Sequence, residues 1–210
     1  MQKSTILFLI SFLILLTSCA TNKIVKDFKQ KEVNVKTYDN PYFSNSEIDY
    51  VYKANISVYG NELSGIFIAK KINESTHRVV FTTEFGNKLL DFEISENDFK
   101  INSIVDELNK KILINTLKTD FRLLLKKHYL VNEEFENQTF NVFKSEDKNK
   151  FNYLFESKTD SKLTKIVRSS KRKEKFSIIF TTENNTFAQN IVIKHENIKL
   201  KIELNYLKNN

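Results

Sequence analysis

The sequence predicts a mainly β domain: a strongly curved antiparallel sheet of about ten or eleven strands, lidded on its concave face by one central helical insertion. Three observations carry this reading. Apolar and polar residues alternate along most of the chain from Glu47 onward, the runs are joined by short polar connections, and the alternation gives way once to helical spacing. The composition agrees: 18 Phe and 8 Tyr with no Trp favour strands and a bulky apolar interior, and hydrophobic residues at 40% suffice for one core in 210 residues.

The chain opens with the features of an export signal. Lys3 supplies a positive start, Ile6 to Leu16 is an apolar run broken only by Ser11, and Leu16-Thr17-Ser18-Cys19 follows directly. The run falls short of the roughly 20 apolar residues of a membrane-spanning helix, so a cleaved signal peptide over residues 1–18 is expected. The small residues before Cys19, the only cysteine, are similar to a bacterial lipobox, which would make Cys19 the acylated first residue of the mature protein. Two or more acyl chains hold a protein on its membrane where one does so marginally, because each buried methylene contributes about 0.8 kcal/mol. Residues 19–46 are polar, irregular and hold the only proline, Pro41; they are expected to form the acylated N-terminus and a flexible tether. A single cysteine allows no internal disulfide.

The folded domain is expected over residues 47–210. Ile48, Tyr50, Tyr52, Ala54, Ile56 and Val58 occupy every second position and share one face of a long strand, which Gly60-Asn61 turns. Leu63, Gly65, Phe67 and Ala69 repeat the pattern, and Arg78 to Thr83 and Lys88 to Ile94 continue it around the turn Glu84-Phe85-Gly86-Asn87, with a short strand from Phe99 to Asn102. From Val105 to Leu125 the apolar residues recur at helical spacing, with Ile112 to Asn115 as a point where the helix is expected to divide. Alternation returns at Phe140 and runs through six strands to Tyr206. Hairpin-length connections require antiparallel pairing, and accumulated strand twist curls a sheet of this size. A filled and a hollow interior are both consistent with this pattern.

Composition also limits the chemistry. Three Gly leave little material for loops that cradle phosphates, and a net charge of +7 is spread along the chain. Lys126-Lys127 and Lys171-Arg172-Lys173 are read as solvated surface, so no nucleic acid partner is expected. His77, His128 and His195 stand apart without metal-ligand spacing, no nucleophile motif occurs, and Arg78 and Asp91 are read as solvent-facing. The expectation is a protein that is not an enzyme, with no catalytic residue, no metal and no cofactor.

Phe81-Thr82-Thr83-Glu84-Phe85-Gly86, followed by Leu90, Phe92 and Ile94, resembles the third and fourth strands of the LolB receptors, where a turn bears a protruding apolar residue just before a glycine. Ile198-Lys199-Leu200-Lys201-Ile202 resembles the last strand of that family, and the order of lipobox, tether, strands, helix and further strands agrees. Glu84 stands where proline is usual and Phe85 where leucine is usual. The resemblance to the LolA/LolB family implies a half-barrel whose helices lid an apolar cavity. It also implies a function: LolA carries lipoproteins through the periplasm, and the acylated LolB accepts them and inserts them into the outer membrane. Cys19 points to the anchored receptor, and Ala20-Thr21, with no Asp after the cysteine, resembles outer-membrane sorting. The implied partners are acylated lipoproteins, a periplasmic LolA-like carrier and outer-membrane lipid.

Such a task has a physical requirement. Three chains of about sixteen carbons lose on the order of 30 kcal/mol in water at roughly 0.8 kcal/mol per methylene, so they must never leave an apolar site. Phe67, Phe81, Leu90 and Phe92 on the sheet and Leu117, Phe121 and Leu124 on the helix are the expected lining. Phe85, an aromatic at a turn tip, is expected to enter the bilayer during transfer. The alternatives are an envelope lipoprotein holding a lipid or glycolipid in the same fold, and a structural envelope subunit without a cavity.

Overall fold

The computed structural model describes residues 23–171, 173–184 and 186–207; the expected signal peptide and Cys19 lie outside the described residues. Among the described residues, fifteen strands and one helix follow in order: β1 Lys29–Lys31, β2 Thr37–Asp39, β3 Asp49–Val58, β4 Asn61–Lys71, β5 His77–Thr82, β6 Lys88–Ile94 and β7 Phe99–Ile104, then α1 Lys111–Leu125, then β8 His128–Leu130, β9 Glu133–Glu136, β10 Phe140–Asp147, β11 Lys150–Ser157, β12 Leu163–Ser170, β13 Lys173–Thr181, β14 Asn190–His195 and β15 Leu200–Tyr206. Thirteen form one sheet in the order β1-β9-β10-β11-β12-β13-β14-β15-β3-β4-β5-β6-β7, and β2 pairs with β8. The sheet is large, antiparallel and curved, and it does not close into a barrel.

Two meanders, β3 to β7 and β9 to β15, are joined by the pairing of β15 with β3, in which Leu200 faces Val58 and Leu204 faces Ala54. The alternation drives this assembly. Tyr50, Tyr52, Ala54 and Ile56 are buried while Lys53 between them is exposed, and Phe67, Ala69, Val79, Phe81, Leu90, Phe92 and Ile94 extend the same concave face across β4, β5 and β6. The second meander adds Ile166, Ile178, Ile193 and Ile202. Over β9 to β12 the opposite face is buried as well: Phe135, Val142, Tyr153 and Val167 form a second cluster with Val25, against which Phe28 packs edge-on to Phe155 at 5.9 Å.

That cluster corrects the reading of residues 19–46 as a flexible tether, because the described part of the segment is folded. β1 adds to β9, β2 pairs with β8, and Tyr38, Tyr42 and Phe43 are buried in the main core. Asn40 donates its side-chain amide to the carbonyls of Leu124 (3.1 Å) and Lys126 (3.2 Å) and so caps the end of α1. These apolar residues follow neither a two-residue nor a helical spacing, so no periodicity marks them. Two further expectations change. The helix begins at Lys111 rather than Val105, and Ile112 to Asn115 continue it without a break. β8 and β9, in a stretch with no alternation to read, bring the strand count above the eleven runs legible in the sequence.

Gly65 is fixed by a close approach rather than a turn. A Cβ there would lie 2.0 Å from the Thr82 carbonyl oxygen and 2.9 Å from the Phe81 ring, beside the register shift of β5 against β6. Gly65→Ala is expected to cost at least about 2 kcal/mol, because backbone must shift to relieve the contact; urea unfolding measures it, and a loss below about 0.5 kcal/mol would contradict the packing.

His77 ties the N-terminal segment to β5. Its Nε2–H donates to the Phe43 carbonyl at 2.8 Å, and burial holds the imidazole below its ordinary pKa of 6.5. The folded protein keeps His77 neutral while the unfolded chain takes up a proton near 6.5, so this stabilisation is present above that value and is lost as the pH falls below it. The melting-temperature gap between the wild type and His77→Gln should therefore narrow from pH 7.5 to pH 5.5. A constant gap would contradict this.

Candidate functional site

The first meander and α1 enclose an apolar pocket. Its sheet wall comes from β3 to β6 and β15, its helix wall from Leu113, Leu117 and Phe121, and every lining side chain is apolar. The structure brings six of the residues singled out from the sequence to this one pocket: Phe67, Phe81, Leu90, Phe92, Leu117 and Phe121. Leu124 is fully buried in the same core but does not line it. The free volume is only about 20 Å³, room for about one water molecule. Aromatic rings take up the rest: Phe121 stacks on Phe67 with centroids 5.3 Å apart and meets Phe92 at 5.7 Å, and Phe92 meets Phe99 at 5.1 Å. With so little free space, the lining side chains or α1 would have to move before an acyl chain could enter.

α1 is held unequally at its two ends. The first turn has no side-chain cap and no acid, and Lys110 and Lys111 place positive charge at the positive end of the helix dipole. The last turn is fastened from several directions. Asn40 caps it, Tyr129 donates its hydroxyl to the Leu123 carbonyl at 2.8 Å, and Arg122 donates to the carbonyls of Ser95 (3.0 Å) and Asp98 (3.1 Å). Of the helix residues that line the pocket, Leu113 and Leu117 lie in the weakly held half and Phe121 in the fastened one. That asymmetry suits a flap hinged at its C-terminal end.

Phe85 projects from the β5–β6 turn with 94% of its surface exposed. The turn itself is ordered by hydrogen bonds: Thr83 N–H to the Asn87 carbonyl (2.9 Å), Gly86 N–H to the Thr83 carbonyl (3.0 Å) and Asn87 N–H to Thr83 Oγ1 (3.1 Å). Gly86 has φ +85°, the left-handed conformation that glycine adopts without strain. Glu84 pairs with Lys53 of β3 at 2.9 Å and braces the tip from below. Tyr59, 57% exposed, sits on the β3–β4 turn at the same end of the sheet.

The three histidines lie in separate parts of the fold, and Asp91 is placed otherwise than expected. His77 is buried, His128 Nδ1 lies 2.7 Å from Asp39 Oδ1 at the surface, and His195 meets Asp120 of α1. Asp91 is buried on the convex side of β6. Arg78 binds it through Nε (3.0 Å) and Nη2 (2.7 Å), Lys88 reaches it at 2.8 Å and Asn102 at 3.2 Å. These donors, Arg78 foremost, hold its carboxyl well below the usual range. The cluster clamps β5, β6 and β7 together. Its members were visible as charges on neighbouring strands, but their convergence needed the register.

No protein-family model matches the chain, and no curated protein matches it. Among solved structures, the LolA superfamily protein NE2245 from Nitrosomonas europaea superposes with a TM-score of 0.50 at 8% identity, over 79% of this chain and 87% of its own. A domain from Vibrio parahaemolyticus described as an outer membrane lipoprotein-sorting protein gives 0.46 at 9% identity, over 76% and 83%. A DUF1329 family protein from Desulfovibrio piger gives 0.42 at 9% identity, over 76% and 84%.

Proposed function

We propose, from the LolA-type fold that the chain shares, that it is an anchored carrier without catalytic function. In this reading it takes the acyl chains of lipoproteins between the concave sheet and α1 and hands them to the outer membrane. The observation that carries the reading is the wholly apolar pocket beneath a helix held weakly at its N-terminal end. Such a wall excludes water from alkyl chains and offers no polar group to retain them. Phe85, exposed on an ordered turn, supplies an apolar tip for the bilayer.

The reading also needs an anchor. With acylation at Cys19, only the residues before Ile24 separate the lipid from the packed segment, a reach of at most about 18 Å at roughly 3.5 Å per residue. The domain would then work against the membrane surface, a consequence of the folded N-terminal segment that a long tether would not impose.

The nearly filled interior favours a second reading, a structural envelope subunit. The two part in one experiment. The mature chain is loaded with a triacylated lipopeptide, then mixed with lipid vesicles, and the lipopeptide is followed from protein to vesicle. A carrier takes up the lipopeptide and empties into vesicles; a structural subunit takes up none, which would overturn the proposal. Retention of one defined lipid after mixing would instead favour a lipid-binding lipoprotein.

A further inference from the structure

The buried face of α1 is apolar except at one position. Leu117, Phe121 and Leu124 surround Asp120, which is fully buried, with Oδ2 2.8 Å from His195 Nε2 at the end of β14. Its second oxygen, Oδ1, is buried without a hydrogen-bond partner. Among the described residues this is the one side-chain to side-chain hydrogen bond between α1 and the sheet.

The register shows what His195 belongs to. On the concave face Ser145 lies opposite Asn152, Asn152 opposite Arg168, Arg168 opposite Phe176, and Phe176 opposite His195. This row, polar except for Phe176, crosses a concave surface that is mostly apolar. Arg168 is satisfied within the sheet by Asn152 Oδ1 and Asp147 Oδ2, each at 2.7 Å, and the His195 ring stacks on Phe176 at 4.9 Å. Of the row, His195 is the member whose partner comes from the helix.

A helix meant only to stay in place would carry an apolar residue at position 120, with an apolar residue facing it at position 195 of β14. Buried acid–base pairs add little over well-packed apolar ones, and an unpaired carboxylate oxygen costs free energy. Burial also pushes the Asp120 carboxyl above its ordinary range, with His195 opposing the shift. Both side chains gain water when the helix swings out, so the contact holds the closed state while making it easier to leave. We propose that Asp120 and His195 form a latch that sets the balance between closed and open positions of α1. This rests on the reading of α1 as a lid.

Hydrogen exchange in the mature chain tests it, with uptake of a fluorescent sixteen-carbon fatty acid measured in parallel. Asp120→Ala should speed exchange of the α1 amides by about tenfold or more, and Asp120→Leu/His195→Phe should slow them below the wild type, with β3 and β4 amides unchanged in both. Fatty-acid uptake should rise in the first variant and fall in the second. If the apolar pair leaves α1 exchange as in the wild type or faster, or if Asp120→Ala accelerates β3 and β4 as much as α1, the latch is overturned. Absence of uptake in every variant would overturn the carrier reading instead, while the exchange data would still decide the latch.

Discussion

Phe85→Glu is expected to leave the melting temperature within about one degree of the wild type and to reduce delivery of lipopeptide to vesicles by about 10- to 100-fold. The first half follows from exposure: a side chain 94% in water contributes almost nothing to the core, and the turn is held by Thr83, Gly86 and Asn87 without it. The second half follows from transfer energetics. Burying a phenylalanine in an apolar phase contributes about 1.5–3 kcal/mol, which an ionised carboxylate forfeits and then opposes. Phe85→Leu should retain most of the activity, since it keeps the apolar tip. Undiminished delivery by Phe85→Glu would remove the turn from the mechanism.

Phe121→Ala should act oppositely on stability and on binding. The ring stacks on Phe67 and touches Phe92, so truncation is expected to cost about 3–5 kcal/mol and to lower the melting temperature by about 10 °C. The void it leaves adjoins the existing pocket, and the variant should take up a fluorescent fatty acid faster and to a higher occupancy than the wild type. Calorimetry and a binding titration on the same samples measure both. A variant that is destabilised but binds no better would mean that the interior is ordinary core rather than a closed chamber.

Much of this was legible in the sequence because period-two alternation is strong wherever one face of a strand is buried. β3 to β7 and β13 to β15 could be marked from the alternation, and the apolar stripe of α1 placed Leu117 and Phe121 opposite the first of these. What escaped lacked that signal. β1 and β2 are three residues each, β1 buries no side chain and β2 only Tyr38, and Val25 and Phe43 lie outside both, so these apolar residues looked like strays in a polar linker. Over β9 to β12 both faces are covered, and adjacent buried residues such as Val142 and Phe143 blur the alternation. The partnership of Asp120 with His195 spans 75 positions, and no spacing rule links residues so far apart. How far the interior is filled depends on ring packing, which the order of residues does not fix.

The central claim is that the space under α1 admits an acyl chain, and photolabelling tests it most directly. The mature chain is incubated with a palmitoyl probe bearing a light-activated diazirine near its methyl end, irradiated, digested, and the labelled residues identified by mass spectrometry. Labels on Phe67, Phe81, Phe92, Leu117 or Phe121, competed away by unlabelled palmitate, are the expected result. Labels confined to exposed residues such as Tyr59, Phe85 and Leu130, or insensitive to competitor, would contradict it.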